Sequence, residues 1–239
     1  MAAAGDSITL AYNSAGYGSF PQYSWSTGTA STLNSLKQRL QSASATTITG
    51  VNVAQVGANS GNLTVQVTSA VAASADYLTV EIGANDACTP TVAGMTDTGV
   101  YRTRIAAALT QFLAAKTDSK VFVASIPNLY RMWSLSKGKF GARFIWATAK
   151  ICQSMLANPT STNSTDENRR QTVQARVTAY NTILQEECAK FAGRCTFDNN
   201  AVANYQFTST HISTADYFHP SVEGQRVLAT ITWAANPYK

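Results

Sequence analysis

The chain has 239 residues, of which 45% are hydrophobic and only 13% are charged, and its formal net charge is +5. This length suits one sizeable α/β domain, which we expect to cover residues 1–239. The basic residues are scattered and no segment is long and apolar enough to cross a membrane, so we expect no nucleic-acid partner and no stable membrane insertion.

Predicted strands and helices alternate along the chain. Met1–Ala4 leaves room only for a short first strand before Gly5, and β-branched runs predict later strands at 46–57, 76–83, 120–126 and 195–197. Apolar spacing predicts helices around Leu36 and Val67, over about 99–117 and 166–192, and from near Ser221. The alternation predicts an α/β fold in which helices cover both faces of a parallel sheet.

The four cysteines are even in number and lack the spacing of a zinc site. Three pairings are possible, and we favour Cys188–Cys195 with Cys88–Cys152. The first closes a short loop between a helix end and the next strand, which chain-entropy estimates value at about 2–3 kcal/mol. The second ties the loop after Asn85 to a later helix. The alternative is four free, buried thiols in a cytosolic protein.

Three features of the sequence favour a secreted protein. They are the paired cysteines, a surface rich in Ser, Thr, Asn and Gln, and the very short segment before Gly5. We expect a mature extracellular protein whose signal peptide has been removed.

Gly5-Asp6-Ser7 stands at the end of the predicted first strand, the edge of a parallel sheet where ligands bind. A serine hydroxyl is a poor nucleophile and needs a neighbouring base. His219 can be that base, because Asp216 lies three residues before it and can fold back onto its imidazole N–H. We therefore predict a Ser7–His219–Asp216 triad. His211 has no such context and is interpreted as structural or surface.

A triad of this kind needs donors for the oxyanion of its tetrahedral intermediate. We predict the backbone N–H of Ser7, the backbone N–H of Gly61 and the side-chain amide of Asn85, which ends a strand in Gly83-Ala84-Asn85-Asp86. Gly57 competes with Gly61 for this role, and either glycine can also serve an ordinary turn.

These blocks stand in the order of the SGNH hydrolase family, also called GDSL esterases and lipases, and the chain resembles that family over nearly its whole length. Within the family, the chain is more loosely similar to secreted actinobacterial members. The resemblance implies a three-layer αβα sandwich around a flavodoxin-like parallel sheet. It places Ser7, Gly61, Asn85 and His219 in the name-giving roles, with Asp216 completing the triad. It also implies ester, thioester or O-acetyl hydrolysis through an acyl-enzyme, without metal or cofactor.

The substrate stays open at this point. The leading hypothesis is a monomeric serine carboxylesterase or lipase acting on short to medium acyl esters. The alternatives are a polysaccharide O-acetylesterase, an acyltransferase using the same acyl-enzyme, and a non-catalytic binding module on the same fold. Aromatic and sulfur side chains that can line a pocket, or simply pack in the core, follow the nucleophile and the 120–126 strand: Tyr12, Tyr17, Phe20, Tyr23, Trp25, Tyr130, Met132 and Trp133.

Overall fold

A computed structural model describes residues 1–238. Within them lies one parallel sheet of five strands in the order β2-β1-β3-β4-β5. The strands are β1 (Ala2–Gly5), β2 (Val51–Asn52), β3 (Tyr77–Glu81), β4 (Lys120–Val123) and β5 (Cys195–Phe197). Register pairs Gly5 of β1 with Glu81 of β3, so the two strands end together at the edge where Ser7 lies.

The helices form the two outer layers. They are α1 (Leu36–Ala43), α2 (Leu63–Ala72), α3 (Ala84–Ala87), α4 (Thr98–Ala115), α5 (Leu129–Ser136), α6 (Phe140–Thr148), α7 (Gln153–Leu156), α8 (Ser164–Ala189), α9 (Ala201–Asn204) and α10 (Val222–Ala235). The sheet order reverses direction at β1, and right-handed crossovers then place α1 opposite α2, α4 and α8. The pairs α4–α8, α2–α4 and α1–α10 pack accordingly.

The predicted fold class, an αβα sandwich with a parallel sheet, is confirmed. The strand at 195–197 has its predicted bounds, whereas the prediction of a strand over 46–57 is wrong in extent because only Val51–Asn52 is a strand. As the edge strand, β2 pairs only with β1, and β1 has four residues. The short first strand that the sequence predicts therefore also shortens its neighbour.

The sequence predicts no helix bounds between β4 and residue 166, and the structure has three helices there, α5 to α7. The side-chain oxygen of Asn128 caps α5 by accepting from the Arg131 N–H at 2.7 Å, and α5 buries Leu129, Met132 and Trp133. Tyr130, Met132 and Trp133 therefore lie on a packed helix rather than a free loop.

Both predicted disulfides are present, Cys88–Cys152 and Cys188–Cys195. The first joins the segment after α3 to the residue preceding α7, and the second joins the end of α8 to β5. Among residues 1–238, every helix falls short of the length and apolar character needed to cross a bilayer.

Candidate active site

Ser7, His219 and Asp216 lie in one hydrogen-bonded line. The Oγ of Ser7 is 2.7 Å from Nε2 of His219, and Nδ1 of His219 is 2.5 Å from Oδ2 of Asp216. All three residues are buried, with 5%, 8% and 2% of their surface exposed. The structure thus brings together side chains from the first and last parts of the chain, as the motifs predicted.

Asp216 is held by more than the histidine. Its Oδ1 accepts the backbone N–H groups of Phe218 and His219, both at 2.9 Å, and its Oδ2 accepts Nδ2 of Asn13 at 2.7 Å. Burial alone would raise the pKa of Asp216, but hydrogen bonds from His219 and Asn13 and the nearby imidazole outweigh it and lower that pKa. The carboxylate therefore stays ionised against the imidazole.

The nucleophile turn is clamped at its base. Gly5 has φ of +152°, and a Cβ there would lie 2.3 Å from the carbonyl oxygen of Glu81, so only glycine fits. The buried side chain of Gln66 accepts the Gly5 N–H at 2.7 Å and donates to the Gly5 carbonyl at 2.9 Å. Gln225 donates to the carbonyl of Ile8 at 2.7 Å. These contacts fix the backbone on both sides of Ser7.

Two carboxyl groups are buried directly beneath this turn. Burial raises the pKa of Asp6 to about 7, and burial together with the Asp6 carboxyl raises the pKa of Glu81 well above its usual range. Oδ2 of Asp6 and both carboxyl oxygens of Glu81 have no hydrogen-bond partner within residues 1–238. A proton on Glu81, donated to Asp6, would give this pair an internal partner and remove one buried charge.

The candidate oxyanion donors differ in whether their N–H groups already have an acceptor. The Ser7 N–H donates to no acceptor within the described residues, and one N–H of the Asn85 side chain donates to the carbonyl of Ala58 at 2.9 Å. The Gly61 N–H, in contrast, donates to Oδ1 of Asn59 at 2.8 Å. Gly57, at φ of +76°, has no such bond among residues 1–238. Gly61 is therefore committed to its own turn, whereas Gly57 is not.

Asp86 joins the two loops that carry these donors. Its carboxylate accepts the Ser60 N–H at 2.8 Å and the Ser60 hydroxyl at 2.6 Å, and Arg104 lies 3.9 Å away. Asp86, the residue after Asn85, thus holds the 57–61 turn next to Asn85.

A narrow apolar cleft of about 30 Å³ lies beside the triad. It is lined by residues flanking Ser7 and His219 and by the segments after β4 and β5, including Ile8, Leu129, Met132, Phe207, His211 and Phe218. His211, interpreted from the sequence as structural or surface, is buried there, and burial lowers its pKa. Its Nδ1 accepts the Thr208 N–H at 3.1 Å.

The aromatic residues after the nucleophile have different surroundings. The ring of Tyr12 meets the His219 ring edge-on at 5.3 Å, Trp25 is a core residue at 1% exposure, and Tyr17 is 78% exposed. Phe20 and Tyr23 are half-buried and contact each other, with ring centroids 6.5 Å apart.

After β4, only Met132 of the three predicted pocket residues lines the cleft. The Tyr130 hydroxyl donates to Glu167 at 2.7 Å and the Trp133 indole donates to the Pro159 carbonyl at 3.0 Å.

Sequence reasoning missed the polar residues that hold the site in place: Asn13, Gln66, Asp86 and Gln225. One signal was available for Asp86, which belongs to the Gly-x-Asn-Asp block. Asn13 and the two glutamines carry no local signature, since their partners are distant in sequence.

Solved structures of low sequence identity share the fold. TesA has a TM-score of 0.61 at 15% identity, covering 100% of this chain and 98% of TesA. The extracellular lipase of Streptomyces rimosus has a TM-score of 0.53 at 19% identity, covering 98% of both chains. A variant of Axe2, an acetyl-xylooligosaccharide esterase from Geobacillus stearothermophilus, has a TM-score of 0.60 at 15% identity, covering 98% of this chain and 92% of that one.

The family is shown by the sequence itself. No curated protein sequence is significantly similar to the chain. The family model for GDSL-like lipases and acylhydrolases, however, matches residues 1–231, which include all of the motifs and the whole sheet. The chain therefore belongs to the GDSL-like lipase/acylhydrolase family.

Proposed function

We propose that the chain is a secreted serine hydrolase that cleaves carboxylic esters through an acyl-enzyme. The observation that carries this proposal is the hydrogen-bonded line from Ser7 Oγ to His219 Nε2 and from His219 Nδ1 to Asp216 Oδ2, at 2.7 and 2.5 Å. The two disulfides and the fold shared with an extracellular Streptomyces lipase support secretion.

In the first half-reaction, Ser7 Oγ attacks the ester carbonyl carbon while its proton passes to His219 Nε2. Asp216, kept ionised by its lowered pKa, accepts the Nδ1–H and stabilises the imidazolium. The tetrahedral intermediate collapses, and the leaving alcohol takes the proton from His219. Water then gives its proton to Nε2 and attacks the acyl carbon, which returns Ser7 and releases the acid.

The oxyanion formed in both steps would accept the Ser7 N–H and the free N–H of the Asn85 amide. For a third donor we favour Gly57 over Gly61, because the Gly61 N–H must first leave Asn59. Asn59→Ala would release it. We expect turnover by this variant to stay level or fall slightly, and a rise in turnover would assign the role to Gly61.

The narrowness of the apolar cleft supports a short acyl group, because a long chain would require its walls to move. We expect the p-nitrophenyl esters of acetate and butyrate to be hydrolysed faster than those of octanoate and palmitate. The cleft is lined mostly by carbon, which suits an alkyl chain better than a charged acid.

The test is hydrolysis of these four esters by the wild type, by Ser7→Ala and by the control Ser14→Ala. Ser14 is a second buried serine near the site whose hydroxyl has no partner within residues 1–238. We expect Ser7→Ala to lose at least about a thousandfold in turnover and Ser14→Ala to stay near wild type. Equal activity of Ser7→Ala would reject the serine mechanism and leave a binding module on this fold.

A polysaccharide O-acetylesterase is the second candidate. A groove with several hydroxyl side chains borders the Asp216 segment, and it contains the exposed Tyr17 ring. It is lined by residues 14–17, 209–210, 212–215 and 221. Such a groove suits a polyhydroxylated alcohol, and Axe2, which shares the fold, is described as an acetyl-xylooligosaccharide esterase. Faster release of acetate from acetylated xylan than from an aryl acetate would favour this candidate.

A further inference from the structure

Charge is distributed unevenly along the chain. Residues 119–165 carry six Lys and Arg side chains and neither Asp nor Glu. Four of these cations lie within or beside α6, namely Lys137, Lys139, Arg143 and Lys150. A stretch of this length with one sign of charge creates a local positive potential on a surface whose overall charge is modest.

The same helix exposes two phenylalanines. Phe140 is 76% exposed and Phe144 is 59% exposed, and their rings lie parallel with centroids 6.5 Å apart. They are four residues apart and so share one helix face, while Ala142 and Trp146 are buried on the other. Apolar side chains thus lie on both sides of α6, and the outer side is open to solvent within the described part of the chain.

The cations next to these two phenylalanines in sequence have no acidic partner in the described part of the chain. Lys137 lies 4.1 Å from the centroid of the Trp133 ring, and Lys139 lies 5.5 Å from that of Tyr217. Arg143 lies between Phe140 and Phe144 in sequence. Within residues 1–238, none of these three cations forms an ion pair. Their charge is therefore available to an external anion.

This helix also contacts the triad segment. The indole N–H of Trp146 donates to the carbonyl of Asp216 at 3.0 Å. Gly141 lies so close to Tyr217 that a Cβ there would be 2.9 Å from the tyrosine hydroxyl oxygen. A ligand bound to the outer face of α6 would therefore be one helix away from the carboxylate that orients His219.

We propose that Lys137, Lys139, Phe140, Arg143 and Phe144, the α6 surface, dock the enzyme on an anionic lipid–water interface. The two rings would enter the boundary between headgroups and acyl chains, and the three cations would meet anionic headgroups. None of these residues lines the apolar cleft, so docking would bring the enzyme to the interface without deciding which acyl group it removes.

Two other occupants fit the α6 surface less well. A second copy of the chain, docked by symmetry, would bring the same cations against each other, and two rings supply far less area than a stable dimer needs. A polyuronate would neutralise the cations but leave both phenylalanine rings in water. Only a lipid surface takes up the charge and the apolar area together.

The test uses Ser7→Ala throughout, so that lipid is not consumed and binding is measured apart from hydrolysis. Pelleting with sucrose-loaded vesicles is compared for phosphatidylcholine alone and for phosphatidylcholine mixed with phosphatidylglycerol, at low and high salt. Phe140→Ser/Phe144→Ser and Arg143→Glu probe the surface. Val65→Ser, at a position 62% exposed on α2, and Lys37→Glu, on α1, are the matched controls.

We expect at least about tenfold stronger partitioning onto the anionic vesicles, weakened by salt. Each probe variant should lower it by about tenfold, while both controls bind like the parent. In an otherwise wild-type background, the probe variants should keep normal hydrolysis of soluble p-nitrophenyl acetate, so loss of docking and loss of catalysis are separate results.

Several results would overturn the proposal. They are absence of pelleting with anionic vesicles at low salt, and pelleting that the phenylalanine variant leaves intact. Binding to soluble polygalacturonate without vesicle binding would identify an acidic polysaccharide instead. A dimer in sedimentation that disappears in the phenylalanine variant, again without vesicle binding, would identify a second copy.

Discussion

Asn13 shows how a single side chain can position a reacting group from a distance. It lies in a left-handed conformation, with φ of +56°, and spans the site between two partners. Its Nδ2 donates to Asp216 at 2.7 Å, while its Oδ1 accepts the Gly18 N–H at 2.8 Å. The residue thus ties the loop after the nucleophile to the carboxylate, and it is a positioning residue in the proposed mechanism.

Asn13→Gly removes both hydrogen bonds while keeping a residue that tolerates positive φ. A hydrogen bond to a charged group is worth roughly 1.5–3 kcal/mol, so we expect kcat to fall by about ten- to a hundredfold with little change in KM. Steady-state kinetics on p-nitrophenyl butyrate measures this. An unchanged kcat would show that Asp216 keeps its orientation without Asn13.

The buried Asp6–Glu81 pair predicts how stability depends on pH. Both pKa values are raised in the folded state, so the folded protein binds more protons than the unfolded chain above about pH 4. The stability that the pair contributes in acid is therefore lost as pH rises towards 7 and beyond. Asp216, with a lowered pKa, acts in the opposite sense and loses its contribution as pH falls.

Glu81→Gln removes one titrating group and keeps a donor for Asp6. We expect its melting temperature to decline less than that of the wild type between pH 5 and pH 8, on the scale set by these raised pKa values. Thermal denaturation across this range provides the measurement. Parallel curves for the two proteins would mean that Glu81 does not titrate there.

At the scale of elements, the Cys88–Cys152 disulfide joins two segments that support Asn85. The bond has a sequence separation of 64, against 7 for Cys188–Cys195. Beside it, the Ser154 hydroxyl of α7 donates to the carbonyl of Ala87, the last residue of α3, at 2.7 Å. Helix α3, which carries Asn85, and the residue after it are thus linked to α7 and the residue before it by a disulfide and a hydrogen bond.

Loop-closure entropy predicts unequal effects for the two disulfides. Replacing Cys88 and Cys152 by serine should cost about 4 kcal/mol of unfolding free energy, and replacing Cys188 and Cys195 about 2–3 kcal/mol. Urea denaturation of both double variants compares the costs. The reverse ranking would show that native-state contacts, rather than the length of the closed loop, determine the stabilisation.

Motif and periodicity predicted some elements well and others poorly. The long helix α8 was expected over 166–192 and is found at Ser164–Ala189, because its apolar face repeats over many turns. The predicted range for the edge strand β2 was too long. β-Branched residues indicate strand propensity, but they do not indicate how long the neighbouring strand β1 is. The bounds of α5 to α7 were not predicted because these helices are short, with 8, 9 and 4 residues, and a short apolar run shows little periodicity.

At the scale of the whole molecule, the site is assembled from both ends of the chain. The three residues of the proposed triad stand out in the sequence because Gly-Asp-Ser and Asp-x-x-His are compact motifs at fixed spacing. The sequence could not decide between Gly57 and Gly61 as oxyanion donor. That preference depends on the hydrogen bond from the Gly61 N–H to Asn59, and motif spacing does not predict this bond. The α6 surface could not be predicted from the sequence either, because phenylalanines such as Phe140 and Phe144 usually lie in the core, and only the structure shows that these two are exposed.

The most direct measurement is reaction with a fluorophosphonate, followed by intact mass and peptide mapping. We expect one adduct per chain, on Ser7, because its hydroxyl is hydrogen-bonded to a buried histidine that is hydrogen-bonded to a carboxylate. Ser7→Ala should take up none, and Ser14→Ala should label like the wild type. An adduct on another residue, or no adduct on the folded protein, would show that Ser7 is not the nucleophile.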